Sequence, residues 1–168
     1  MNIQDIHLMY EYSYWATKRI LSAASKVTEE QFLAPADYPF GGLRGTLVHL
    51  LDGERVWRVL FETQEVIEYQ ELKEEDFPTF ESIQKTFQEE EKLLRVYLST
   101  LKDEDMESHL KYMVEGGIQR DRILWHCFYH LVNHGTQHRS EAAALLTSYG
   151  CSPGDLDVTA FLNERGNL

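Results

Sequence analysis

Apolar residues recur at three- and four-residue intervals along four long stretches of the chain, the mark of amphipathic helices. The first stretch runs from about Ile3 to Ser25, with Ile6, Met9, Tyr10, Ser13, Ala16, Thr17, Ile20 and Leu21 in helical register. It fades into Thr28-Glu-Glu-Gln, which begins a short turn of helix. Ala34-Pro-Ala-Asp-Tyr-Pro-Phe-Gly-Gly then reads as a loop, because proline and glycine break both regular structures. A second helix is predicted from about Leu43 to Glu62. A third follows Pro78-Thr79, with Thr79 as its N-cap, and reaches about Lys102. Ser108–Gly117 lacks periodicity, reads as irregular or extended, and ends in Gly116-Gly117. The fourth helix spans about Asp121 to Tyr149 and stops at Gly150, with Pro153 beyond it. A last short helix follows Asp155, over about Leu156–Asn163.

Four helices of this length with loops between them predict an all-α protein, an antiparallel four-helix bundle with a short extra C-terminal helix. The longest connections flank the third helix, so the topology need not be a simple up-and-down one. At 168 residues, with no internal repeat or linker, the expectation is one domain over residues 1–168. Hydrophobic residues make up 43% of the chain, enough for a substantial core.

Charge narrows the partners. The formal net charge is -12, from 28 acidic and 16 basic residues. Such a surface repels polyphosphate and anionic lipid, so neither nucleic acid nor membrane is expected as a partner. Two acidic runs, Glu62–Asp76 and Glu89–Glu91, read as solvated faces and loops. Cys127 and Cys151 are too few for a secreted disulfide framework. The N-terminus has neither the basic nor the apolar region of a leader, and no apolar run approaches bilayer length. A cytoplasmic protein is expected.

Candidate chemistry lies in the histidines. Four of the seven, His126, His130, His134 and His138, follow one another at four-residue intervals on the fourth helix. Any neighbouring pair has the spacing to converge on one ion, so spacing alone does not choose. A helical wheel at about 100° per residue does. Taking His126 as zero, His130, His134 and His138 fall near 40°, 80° and 120° on that scale. Cys127, Leu145, Leu131, Leu124 and Ala142 mark the core between roughly 100° and 160°. His134 and His138 therefore face inward, His130 sits at the edge, and His126 lies well off it. Burying two adjacent imidazoles is costly unless their nitrogens find partners, and a metal ion partners both. The competing readings are a buried hydrogen-bonded pair and an acid–base pair in a cleft.

A third ligand is expected from another helix, and Leu47-Val-His-Leu-Leu-Asp-Gly-Glu offers His49. His49 shares a line with Gly53, Val56 and Leu60, a line that meets the core where Gly53 leaves space. Alone it reads as a satisfied core histidine; the pair on the fourth helix makes it a ligand. Asp52 is a second-sphere acceptor or proton carrier by position, or a surface charge. Glu54 and Arg139 are open in the same way, as groups serving the site or as a solvated ion pair. Trp15, Trp57 and Trp125 read as core or cavity lining, Cys127 as structural, and His7 and His109 have no supporting context.

Three segments resemble the DinB (damage-inducible, YfiT-like) family: His130-Leu-Val-Asn-His-Gly-Thr-Gln-His-Arg-Ser-Glu-Ala-Ala, the tail Cys151-Ser-Pro-Gly-Asp-Leu-Asp-Val-Thr-Ala-Phe-Leu, and Leu43-Arg-Gly-Thr-Leu-Val-His-Leu-Leu-Asp-Gly-Glu-Arg-Val-Trp. The resemblance implies a four-helix bundle, commonly a homodimer, with a three-histidine metal site. The family's ligand positions fall on His49, His134 and His138, and His130 falls on a position that is often histidine without being a ligand. Ser140 and Glu141 depart from the glycine and glutamine common in relatives, a change expected to affect helix packing more than metal binding.

Relatives of this kind include metal-dependent transferases of low-molecular-weight thiols such as bacillithiol, mycothiol or glutathione. The resemblance thus implies a small-molecule substrate and one divalent ion, with zinc, nickel, iron, manganese and cobalt all suited to imidazole. Three neutral imidazoles leave the ion its charge and an open position, which suits thiol transfer or hydrolysis. The alternative is a non-catalytic metal-binding module of a stress response. The sequence shows no second catalytic pair.

Overall fold

A computed structural model of the chain describes residues 1–63 and 69–166. Four long helices dominate: α1 (Ile3–Ala24), α3 (Leu43–Thr63), α4 (Phe80–Thr100) and α5 (Leu124–Ser148). Two short helices accompany them, α2 (Glu29–Leu33) and α6 (Val158–Arg165). The long helices begin and end where local chemistry dictates. Asn2 and Asp5 form a reciprocal capping box on α1, and Thr79 accepts from Ser82 N at the start of α4. Thr28 and Gln31 cap α2 in the same reciprocal way. Gly150, at φ +76°, follows α5 in the left-handed conformation that glycine adopts without strain. The short terminal helix starts two residues later than predicted. Asp155 accepts from Asp157 N, and Asp157 in turn caps Thr159 N.

The bundle is all-α in its framework, with one departure. Residues read as irregular or extended, together with the predicted first turn of the fourth helix, form a two-stranded hairpin, the second of the two alternatives for His109–Val114. Strand β1 (His109–Val114) pairs antiparallel with β2 (Ile118–Ile123), His109 opposite Ile123 and Val114 opposite Ile118. Gly116 and Gly117 turn the chain with φ near +80° and +74°. Asp121 therefore lies in a strand, and α5 begins at Leu124. Leu124 N donates to Ser108 O at 2.8 Å and Trp125 N to Met106 O at 3.2 Å, tying the hairpin's base to the helix.

Packing runs in the ring order α1, α5, α3, α4. Consecutive long helices α1 and α3 stand on a diagonal, as do α4 and α5, so the topology is not up-and-down. The connection from α3 to α4 joins neighbours. The crossings are made by the α2 segment and by the hairpin.

The core divides into two apolar clusters. One collects Ile20, Leu21, Leu43, Leu47, Leu50, Leu51, Ile83, Phe87, Ala142 and Leu146. The other collects Ile6, Tyr10, Tyr14, Phe61, Leu94, Leu98, Phe128 and Leu131. Between them, each long helix contributes buried polar groups: Ser13 and Thr17 from α1, Glu54 and Arg58 from α3, Glu90 from α4, His138 and Arg139 from α5. Arg58 bridges to Glu90, and also reaches Glu62 at 2.7 Å. Arg139 donates to Ser13 Oγ at 2.9 Å and to Thr136 Oγ1 at 3.2 Å. Glu54 and Arg139 are thus buried within this belt, 6% and 2% exposed, and not a solvated pair. Glu90 likewise corrects the reading of Glu89–Glu91 as a wholly solvated run, and residues 64–68 of the Glu62–Asp76 run lie outside the described residues. Among the described residues, no helix is long and apolar enough to cross a membrane.

Candidate metal centre

The histidines meet where the polar belt reaches the side of the bundle. α3 carries His49, and α5 carries His134 and His138 one turn apart. One ligand-type nitrogen from each ring lies within 4.8 Å of the others. His49 Nε2 and His134 Nε2 are 3.1 Å apart. Two imidazole nitrogens sharing a tetrahedral ion stand about 3.3 Å apart, given metal–nitrogen distances of about 2.0–2.1 Å. The observed spacing is close to that.

The other helix histidines separate as the wheel predicts. His138 is buried and His134 half-buried, whereas His126 and His130 are exposed. His49 is also half-buried. Val56 and Leu60, on its line, are only half-buried too, so this line follows the edge of the core and does not enter it.

Neighbours shape the cluster. A Cβ built on Gly53 would stand 2.7 Å from His134 Cε1, so only glycine lets this ring approach α3 so closely. The Phe40 ring stacks on His49 with centroids 3.5 Å apart and planes 7° from parallel, and it meets His138 edge-on. His138 Nδ1 lies 2.8 Å from Glu141 Oε2. A neutral imidazole donating its Nδ1 proton to this carboxylate presents Nε2 as a lone pair, the arrangement common around metal-binding histidines. Glu141 therefore touches a candidate ligand, which corrects the expectation that it bears on helix packing more than on metal. Its signal was its position, three residues past His138 on the same helical face. Phe40 gave none, lying in the segment read as loop.

Asp52 is neither a second-sphere partner nor a free surface charge. Its Oδ1 accepts from Tyr69 Oη at 2.6 Å and from Leu72 N at 2.8 Å, anchoring the segment that returns toward α4. Cys127 is buried in the second apolar cluster, and burial pushes its thiol up to about 11, which suits a structural role. His109 Nδ1 meets Asp121 Oδ1 at 2.5 Å on the exposed hairpin, and His7 is exposed.

Electrostatics favour the neutral form of two of the rings. Burial, with the neighbouring His138, His49 and His130 rings and Arg139 adding to it, pushes His134 down to about 4. Burial and the His138 ring also hold His49 below the usual histidine range. Neutral imidazoles are the form that ligates metal. Hydrogen bonding within the chain does not satisfy the cluster, since buried His134 Nδ1 has no partner among the described residues. A divalent cation draws lone pairs from all three rings at once, so the residues present fit one.

Two openings flank the rings. One of about 180 Å³ is bounded by Phe40, His49, Asp52 and Leu72. The other, of about 300 Å³, is lined by Trp57, Tyr112, Arg122, His126, Cys127 and His130.

A search of curated proteins returns no match to this chain. The model of the DinB family matches residues 1–166 of the 168. With that match running through all the helices and across the histidine cluster, the chain belongs to the DinB family.

Proposed function

We propose that this protein is a divalent-metal-dependent enzyme in which His49, His134 and His138 hold one ion, and that it transfers a low-molecular-weight thiol to an electrophile. The observation that carries this reading is the convergence of three imidazoles from two helices within 4.8 Å. An ion held by three neutral ligands supplies undiminished positive charge at an open position, which draws a thiol or water toward its deprotonated form near neutral pH.

The chain's own groups set up that chemistry. Glu141 fixes the ring of His138 by holding the proton at Nδ1. Phe40 covers the face of His49 and keeps water from one side of the ring. Gly53 admits His134. In the transfer, a carbon–sulfur bond forms as the electrophile's leaving group departs, and the thiol proton passes to solvent. Hydrolysis at the same centre is the closest variant, with water in place of the thiol. A homodimer in the cytoplasm completes this reading, and light scattering checks the dimer.

The test is metal analysis of protein purified without an affinity tag, followed by thiol-transfer and hydrolysis screens with and without chelator. We expect about one ion per chain and activity that chelation removes and added metal restores. Activity that survives chelation overturns the reading. Stoichiometric metal with no activity in either screen favours a non-catalytic metal-binding module.

A further inference from the structure

The pocket near His130 is built where the hairpin meets α3 and α5. Trp57 comes from α3, Tyr112 from β1, Arg122 from β2, and His126, Cys127 and His130 from α5. In the hairpin register Leu110 stands opposite Arg122 and Tyr112 opposite Arg120. Opposed residues share a face, and Leu110 is buried, so this is the face turned toward the bundle. The opposite face carries Asp121, which pairs with His109 and Lys111.

Charge makes this place unusual. In a chain of net charge -12, the better-buried cations next to acidic groups are matched: Arg58 with Glu62 and Glu90, Arg95 with Glu11 and Glu91, Arg44 with Glu74. The guanidinium groups of Arg120 and Arg122 have no hydrogen-bond or ion-pair partner among the described residues. A guanidinium offers five donors in a rigid fork that matches a carboxylate, and exposed Arg122 lines the same pocket as Trp57 and Tyr112. Trp57 meets the Tyr112 ring edge-on with centroids 5.6 Å apart, and its own ring lies 5.1 Å from His130. His130 is 5.9 Å from His134, so a single ring separates the pocket from the triad.

We propose that this pocket takes the carboxylate of a small organic acid on Arg122, seats its flat apolar part against Trp57, and so presents the molecule to the three-histidine centre. The volume of about 300 Å³ suits a small molecule. One free guanidinium lines it, which matches a monoanion better than a phosphate dianion. Arg122 is a positioning residue: it fixes the substrate's anionic end while the reacting end lies at the histidines. The delivery step rests on the function proposed above; the binding step does not.

Two titrations test it on the full chain. With metal-free protein, phenylacetate is expected to shift the Trp57 indole N–H signal saturably. Arg122→Gln should weaken that binding about tenfold, with Arg122→Lys in between, while phenylacetamide binds weakly and equally to all three proteins. Phenylacetate binding no tighter than the amide, binding that Arg122→Gln leaves unchanged, or tighter binding of phenyl phosphate overturns the carboxylate pocket. With cobalt-loaded protein, the thiolate-to-cobalt charge-transfer band follows 3-mercaptopropionate and neutral 2-mercaptoethanol. Arg122→Gln is expected to weaken the acid and spare the neutral thiol; equal losses overturn the delivery step. No such band with either thiol overturns the thiol-transfer reading and leaves the pocket to stand or fall on the phenylacetate result.

Discussion

His126 and His134 sit eight residues apart on one helix, yet one is exposed and the other is half-buried against α3. That difference predicts their roles. His134→Ala or His138→Ala should abolish stoichiometric metal, measured by elemental analysis, whereas His126→Ala should leave it intact; equal loss in all three contradicts the assignment. Glu141 permits a finer test. Glu141→Gln keeps the shape but weakens the acceptor for His138 Nδ1, and metal affinity by competition with a chromophoric chelator should fall about tenfold or more. An unchanged affinity leaves Glu141 a packing residue. Two of the three candidates were legible because the wheel turns His134 and His138 toward the core, where an imidazole needs a partner; His49 was legible only through that pair. Phe40 was not legible, since a loop carries no period from which to read where a ring will stack. Glu54 and Arg139 stayed open for a related reason: a charged residue gives no sign in sequence that its neighbours will close over it.

Helices fared better than the segments between them. A 3.6-residue period repeated over five or six turns placed α1, α3 and α4 within a few residues of their observed limits. Thr79 illustrates why ends are readable when a side chain makes them, as it accepts from Ser82 N at 3.3 Å. Thr79→Ala is expected to cost about 1 kcal/mol in urea unfolding. No measurable change would mean that the α4 terminus draws on other partners. The hairpin escaped notice because both strands alternate poorly: β1 has a single buried residue, Leu110, and β2 has none. With only one face lightly covered, period-two patterning has little to act on. Its position is set by long-range pairing with the loop before it, through Ser108 O and Met106 O, which no local signal encodes.

At the scale of the whole molecule, the belt between the two apolar clusters carries a pH dependence of its own. Burial raises the Glu54 carboxyl to about 7, against the opposing pull of Arg139. The folded state thus prefers Glu54 protonated, and the unfolded chain releases that proton more readily. The resulting stability is fully present below the unfolded value of 4.5 and is lost as pH rises through about 7. Glu54→Gln, which stays neutral, should melt higher than the parent at about pH 8, by on the order of 3 kcal/mol, with the gap closing at about pH 5. A gap of the same size at both pH values would show that Glu54 acts by packing and not by charge.

The belt also indexes the helices along their axes. Oil meeting oil would tolerate a slide of one turn, about 5.4 Å, with little penalty. Here such a slide would carry Arg58 away from Glu90 and Arg139 away from Ser13, leaving charges stranded among leucines and phenylalanines at a cost of several kcal/mol. The first contact holds α3 in register with α4, and the second holds α5 in register with α1. The attraction between Glu54 and Arg139 relates α3 to α5, and so favours the height at which an imidazole on α3 stands level with two on α5.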